Sequence, residues 1–408
     1  MATPDTTSAT TPSHALVVGS VALFTDMLVH GLAVPVLPLL PSVVARGPAA
    51  TGVLFSAYAA AMIVSTLFAG RVVDRRGPRM PLLIGLVGLA AATLLFATGG
   101  PYWLLLVARL AQGVAGGMSW VAALSLIAAT TSLERRGQAM GIAMSTITLG
   151  VLIGPPLSGF MVERLGTAAP FLLAAAVALA DGMLRILLVK DSPRVTDDTA
   201  GPRQVLRVPG SAAIVTAIAI GAGVLSAVEP VLPVHLGAGS LLIGLLFALA
   251  SLAAILANPV VGRCVATAPP RLLIGSGVAT ASASLALIGW ADRLWQTGVA
   301  MALLGVSSAL LLAPATTLIG EQGLRVDPPT LGGSYALYNL AYAAGLSLGP
   351  LLAGLGVQRA GFTAAMTAGA VLLVAVGGTV LPGLPGQIGH PTGQGDGVPG
   401  RIPGQAAG

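Results

Sequence analysis

Charge is what this sequence lacks most. Of its 408 residues only 8% are charged, against roughly 25% in soluble globular domains, which excludes an ordinary water-soluble enzyme. Disorder is excluded from the other side, because it needs low hydrophobicity and high charge, and 55% of this chain is hydrophobic. The single cysteine, Cys264, excludes an intramolecular disulfide framework and a cysteine metal cluster. Four histidines, with His14 and His390 near the ends, supply a metal site poorly. No metal and no organic cofactor is expected. No Walker loop or nucleophile triad is found, so neither enzyme chemistry nor ATP-driven work by this chain alone is expected. Lysine is nearly missing too: Lys190 is the one lysine among 20 basic residues.

What is present is apolar sequence spread over almost the whole length, with a mean hydropathy of +0.91. A spanning helix takes about 20 residues plus a short loop. The apolar runs place twelve spans at 15–40, 51–71, 80–98, 102–130, 138–162, 168–189, 211–236, 240–262, 271–291, 295–320, 330–356 and 361–381. The expected organisation is a disordered cytoplasmic tail at 1–14, a six-helix bundle at 15–189, a cytoplasmic linker at 190–210, a second six-helix bundle at 211–382 and a disordered cytoplasmic tail at 383–408. Residues 2–14 are polar and Thr/Ser/Pro-rich, unlike a cleavable leader. With the N-terminus in the cytoplasm, thirteen Arg and Lys residues fall in inner loops and only Arg46, Arg164, Arg293 and Arg359 in outer ones. The positive-inside rule therefore puts both termini in the cytoplasm and the chain in the cell membrane as a multi-pass protein. With the positive charge in membrane loops, no nucleic-acid partner is expected, and the chain reads as a monomer in the lipid bilayer.

The two halves repeat each other. Pro35-Val36-Leu37-Pro38 in span 1 recurs as Pro230-Val231-Leu232-Pro233 in span 7, 195 positions later. Gly150, Gly154 and Pro155 in span 5 recur as Gly345, Gly349 and Pro350 in span 11 at the same offset, and Gly52 and Phe55 in span 2 recur as Gly244 and Phe247 in span 8 at 192. A duplicated six-helix unit keeps its orientation on insertion. Its symmetry axis then lies along the membrane normal, and a substrate site is expected between the halves near the midplane.

Three motifs carry a family resemblance. The loop after span 2 reads Gly70-Arg71-Val72-Val73-Asp74-Arg75-Arg76-Gly77-Pro78-Arg79. Span 4 carries Arg109-Leu110-Ala111-Gln112-Gly113, and span 5 carries Gly150, Gly154, Pro155, Pro156 and Gly159. Together with the duplicated spans, these resemble the major facilitator superfamily. Leu23-Phe24-Thr25-Asp26, the span 5 motif, Thr167-Ala168-Ala169-Pro170-Phe171-Leu172 and Ala180-Asp181-Gly182 are similar to the vesicular monoamine transporters and bacterial drug:proton exporters. The resemblance implies an all-α membrane protein in two pseudo-symmetric bundles. It implies Asp26 as an amine or proton carboxylate, Glu229 as a second cavity carboxylate, and Arg109 as the motif arginine of span 4. It implies a gating role for Gly70, Asp74, Arg75, Gly77 and Arg79, with Asp74 near the start of span 11 and Arg75 near Glu134. Where the monoamine transporters have acids in spans 10 and 11, this chain aligns Leu312 and Asn339.

Ionisable residues inside the spans are few: Asp26, His30, Arg109, Asp181, Arg185 and Glu229. Each costs about 2.5–3.5 kcal/mol or more at a helix centre, so each needs a partner or a task. Asp26 and His30, four apart, are either a local hydrogen-bonded pair or a titrating group facing the cavity. Asp181 and Arg185 read as an internal ion pair. Arg109 either neutralises a cavity carboxylate or braces its helix. Glu229 is a cavity acid or a carboxylate near the outer interface, and one cation could be shared between it and Asp26. Tyr335, Tyr338 and Tyr342, three of five tyrosines, fall with Asn339 on one face of span 11. They offer rings to a cation at about 0.5–2 kcal/mol each, or they pack helix on helix. Trp120 and Tyr58 are weaker candidates of the same kind.

The leading expectation is a proton-coupled antiporter exporting lipophilic, cationic small molecules. A dedicated exporter of a neutral or zwitterionic metabolite, and a non-transporting membrane sensor or scaffold, are the alternatives.

Overall fold

In the computed structural model, twelve helices among the described residues are long and apolar enough to cross a membrane. The structure describes residues 12–77, 79–131, 133–188, 201–265 and 267–385. The spanning helices are α1 (Pro12–Ala33), α2 (Pro48–Arg76), α3 (Arg79–Ala97), α4 (Tyr102–Thr130), α5 (Leu133–Leu165) and α6 (Ala169–Leu188) in the first half. The second half holds α7 (Ser211–Val228), α8 (Ser240–Val265), α9 (Pro270–Gly289), α10 (Leu294–Leu324), α11 (Leu331–Ala360) and α12 (Phe362–Val380). In hydrocarbon every backbone N–H and C=O must be satisfied within the segment, which is why apolar runs of this length fold as helices.

Local chemistry sets the ends. α2 starts on Pro48, whose missing N–H costs nothing at a first helical position. It stops at Gly77, whose positive φ of 75° turns the chain and whose N–H reaches the Val73 carbonyl at 2.7 Å. Thr330 caps α11 by accepting from the Gly333 N–H at 2.9 Å. The repeated Pro-Val-Leu-Pro stops two helices in the same way. α1 ends at Ala33 and gives way to a short 3₁₀ turn at Leu37–Leu39, and α7 ends at Val228 before a short helix at Leu232–Leu236. The spans reach Leu39 and Leu236, close to the expected 40 and 236; the helix is interrupted within each because each proline removes a donor, as expected at Pro230 and not foreseen at Pro35. Two short segments also depart from expectation. A helix forms at Pro202–Arg207 inside the expected linker, and Leu384, expected in the tail, is buried while Arg271 binds its carbonyl at 2.7 Å.

The apolar cores show how the halves meet. One core joins Leu37, Leu54, Phe55 and Phe171 of the first half to Val228, Leu232, Phe247 and Met301 of the second. It lies at the end reached by Arg46, Arg164 and Arg359. Toward the opposite end the buried cores separate. One holds Val18, Met62, Ala123 and Ile127, the other Ile214, Ile274, Leu318 and Ala341. The halves are thus sealed together at one end and parted toward the other.

The seal is two-fold. A Cβ on Gly52 of α2 would collide with the Pro350 carbonyl of α11, and one on Gly244 of α8 with the Pro155 carbonyl of α5. Gly354 and Gly159 make the reciprocal approaches, to Pro48 and to Ser240. Each half also caps a helix of the other. The Leu241 N–H donates to Glu163 Oε1 at 3.0 Å, and the Ala49 N–H donates to Gln358 Oε1 at 3.0 Å. Glu163 and Gln358 are 195 apart, and Ala49 and Leu241 are 192 apart, so these are symmetry copies of one contact.

Candidate functional site

Between the halves, under the sealed end, lies a cavity of about 290 Å³. Met27 and His30 of α1, Trp120 of α4 and Ile147, Thr148 and Val151 of α5 form its first-half wall. The second half supplies Ser226 of α7, Glu229 just past its end, Ser251 and Asn258 of α8, Ser308, Leu312 and Thr316 of α10, and Tyr335, Tyr338 and Tyr342 of α11. Most hydrogen-bonding groups thus belong to the second half. The first half gives a mostly apolar and aromatic surface with one imidazole and the Thr148 side chain.

His30 and Glu229 meet across the seam, with Nε2 and Oε2 3.6 Å apart. His30 Nδ1 is buried and makes no hydrogen bond. The His30 ring lies against Tyr58, centroids 5.3 Å apart. Down α11, Tyr338 and Tyr342 stack at 6.1 Å with an interplanar angle of 17°. From Tyr342 to Tyr335 is seven residues, or about 10 Å of helix, so the tyrosine stripe runs away from Glu229 toward the parted end. Asn339 departs from the expected stripe. It is buried beside the tyrosines, its Oδ1 has no partner, and it does not line the cavity.

Asp26 also sits elsewhere than expected. It is 1% exposed and lies behind the cavity wall, within the first half. One oxygen, Oδ2, accepts from Tyr58 Oη at 2.8 Å and from Trp120 Nε1 at 2.7 Å. The other, Oδ1, fills the space left by Gly116, where a Cβ would come within 2.8 Å of it. Trp120 therefore presents its ring to the cavity and its N–H to Asp26. In this arrangement Asp26 does not reach the cavity that Glu229 lines: Tyr58 and Trp120 donate to Oδ2, and Oδ1, which has no hydrogen-bond partner, faces Gly116.

Arg109 lies deeper still in the first half and does not line the cavity. Its guanidinium is caged by the rings of Phe55, Phe96 and Tyr58 at 5.2, 5.6 and 5.8 Å. It donates to Gln112 at 3.2 Å, and Gln112 donates in turn to Thr93 at 2.9 Å. Asp181 and Arg185 form a buried ion pair one turn apart, and Arg185 also donates to the Leu82 carbonyl at 2.8 Å and to Ser119 at 3.0 Å.

In the span 5 motif, Gly150 and Gly154 seat α1: a Cβ on Gly154 would lie 2.8 Å from the Gly31 Cα. Pro155 and Gly159 meet α8 in the seal. In the loop motif, Gly77 ends α2 and Arg79 begins α3. The side chains at Gly70, Asp74, Arg75 and Glu134 lie outside the described residues, and with them the expected Asp74 and Arg75 contacts. Attention to ionisable groups alone passed over Ser226, Ser251, Asn258, Ser308 and Thr316. Their signal was a polar residue interrupting an apolar span, most plainly Asn258 before Pro259.

The sequence profile described as Major Facilitator Superfamily matches residues 19–323 and 210–405. The chain belongs to this superfamily. It is similar to the chromaffin granule amine transporter of Rattus norvegicus, 30% identical over 325 residues, 76% of this chain and 61% of that protein. It is also similar to the synaptic vesicular amine transporter of Homo sapiens, at 27% over 78% of this chain and 63% of that protein, and to the vesicular acetylcholine transporter of Drosophila melanogaster, at 28% over 77% and 57%. The chain spans about three-fifths of the length of these relatives. Among solved structures, a bacterial homologue of the human lysosomal transporter Spinster superposes with a TM-score of 0.73 at 14% identity, covering 91% of this chain and 96% of that one. A POT family transporter superposes at 0.74 with 13% identity, covering 90% and 95%. The superfamily fold is thus this chain's fold.

Proposed function

We propose that the chain is a proton-coupled antiporter that exports lipophilic organic cations, drug-like amines among them, from the cell by alternating access. It would lie in the cell membrane with both termini in the cytoplasm, so that the sealed end faces out and the cavity is loaded from within. The observation that carries the reading is Glu229: a buried carboxylate, the one acid among the described lining residues, at the head of a largely apolar and aromatic cavity with three tyrosines below it. A cation there gains the carboxylate's charge and the faces of rings. A proton or a cation can occupy that charge, but not both at full strength, and this competition is the thermodynamic basis of exchange. The named relatives carry amines or acetylcholine, which agrees with a cationic cargo. The non-acidic Leu312 and Asn339 favour a simpler acid set than theirs.

The test is uptake by proteoliposomes of a panel of dyes, amines and neutral antibiotics under an imposed pH gradient. Gradient-driven uptake of monovalent cations, lost in Glu229→Gln, is expected. Uptake confined to neutral compounds, unchanged in Glu229→Gln, would favour a dedicated neutral-metabolite exporter instead.

A further inference from the structure

Glu229 is matched across the seam by an imidazole rather than by another carboxylate. From this we infer that His30 carries the exchanged proton, and that a singly charged organic cation binds at Glu229 by displacing it. The inference rests on the cationic reading of Glu229.

Among the described residues that line the cavity, His30 and Glu229 are the one imidazole and the one carboxylate. Their 3.6 Å separation is an ion-pair distance once the imidazole is protonated. Histidine is the side chain whose ordinary titration lies there. The charged and titratable groups around the pair are Asp26 one turn back on α1, Tyr58 of α2, Arg109 of α4 and Tyr342 of α11. Asp26, the obvious rival as proton carrier, is closed to the cavity and already engaged by two donors. The unpaired state of His30 Nδ1 and Glu229 Oε2 fits the same view. With His30 neutral, the carboxylate has no strong donor of its own and is free for a cation.

The exchange balances simply. In the proton-loaded state, imidazolium and carboxylate form an ion pair that ties α1 to the end of α7. An arriving ammonium takes the carboxylate as its counter-ion. The imidazolium, now beside a second cation, gives its Nε2 proton to water and becomes neutral. On the other side the steps reverse: a proton from water restores the imidazolium, and the substrate leaves. One cation replaces one proton.

The experiment uses purified full-length protein and phenyltrimethylammonium, a permanently charged probe with no proton of its own to titrate. Affinity and proton release are measured together from about pH 5 to 8, by calorimetry and by a pH dye in weak buffer. Wild-type protein should bind up to tenfold more tightly per pH unit on the acid side of the ordinary histidine range. It should release close to one proton per probe there and almost none well above it. His30→Gln and His30→Asn, which each mimic one ring nitrogen, should bind the probe with pH-independent affinity and release no proton. Proton release retained in either variant, or absent from wild type that binds the probe, overturns the inference. Failure of wild type to bind any organic cation would instead overturn the proposed function.

Discussion

Asp26 and His30 are one turn apart on α1, yet only His30 meets the cavity. Four residues at 3.6 per turn leave about 40° of rotation between them, and neighbouring helices do the rest. Trp120 and Tyr58 reach around to claim Asp26. The ionisable residues could be found in the sequence because each is expensive in hydrocarbon. Where each one points could not be read there, since it depends on side chains of α2 and α4 brought close only by folding. The burial suggests that Asp26 organises the first half. Asp26→Asn keeps an oxygen that can accept from both Tyr58 and Trp120, so the variant should still bind phenyltrimethylammonium and release a proton. Loss of release in Asp26→Asn with binding intact would return the proton to Asp26. Removing a donor is a separate matter. A hydrogen bond to a charged group contributes about 1.5–3 kcal/mol, so Trp120→Phe should lower unfolding stability in detergent by that amount while leaving a ring on the cavity wall. The Asp181–Arg185 pair, predicted from its spacing and found buried, gives the complementary case. Asp181→Asn leaves the guanidinium without its counter-ion and should destabilise by about 3–5 kcal/mol, whereas Asp181→Leu with Arg185→Met should recover most of the loss. A melting series in one detergent distinguishes these outcomes.

Among the elements, α2, α5, α8 and α11 form the seam, and their glycines were legible as repeats before their purpose was. Offsets of 192 and 195 located Gly52 with Gly244 and Pro155 with Pro350. Only the fold shows that Gly52 abuts Pro350 while Gly244 abuts Pro155, so that each repeat unit meets the other unit's partner. The same crossing explains why Glu163 caps α8 and Gln358 caps α2, contacts between halves that no local pattern announces. The break after α7 was legible from Pro230, whereas its copy after α1 was hidden by hydropathy, which continues through Pro-Val-Leu-Pro although the helix cannot. Close backbone approach leaves no room for a side chain at these glycines. Gly52→Val should therefore pry the sealed end open and shift the protein toward the opposite conformation. In a Cys264→Ser background, a cysteine replacing Ala313 in the cavity wall reports this shift. It should react readily with a membrane-impermeant maleimide applied from the side bearing the 71–79 loop, and at least several-fold more slowly once Gly52→Val is added. An unchanged rate would mean that the glycine contact packs the helices without governing which end is open.

For the whole molecule, the decisive quantity is the charge held inside the membrane. The buried ionisable residues among those described are Asp26, Asp181 and Glu229 against Arg109 and Arg185, with His30 as the variable member. Counted as ionised, the three acids and two arginines leave one negative charge when His30 is neutral. A proton on His30 cancels it, and so does one monovalent cation at Glu229. Both loaded states are neutral inside, whereas the empty carrier with neutral His30 holds an uncompensated charge and should reorient slowly. Tight one-for-one exchange follows, with no net charge crossing the membrane in a cycle. The consequence is electrical. A net charge moved through 100 mV gains about 2.3 kcal/mol, enough to change a steady-state gradient about fiftyfold. In proteoliposomes held at about 100 mV with potassium and valinomycin, and without a pH gradient, phenyltrimethylammonium should accumulate less than twofold through this protein. A pH gradient of one unit at zero potential should support about tenfold accumulation. Large accumulation driven by a positive interior alone would mean that a second proton moves with each cycle, with Asp26 or Asp181 as its carrier, and accumulation driven by a negative interior alone would mean that the cation crosses without exchanging a proton.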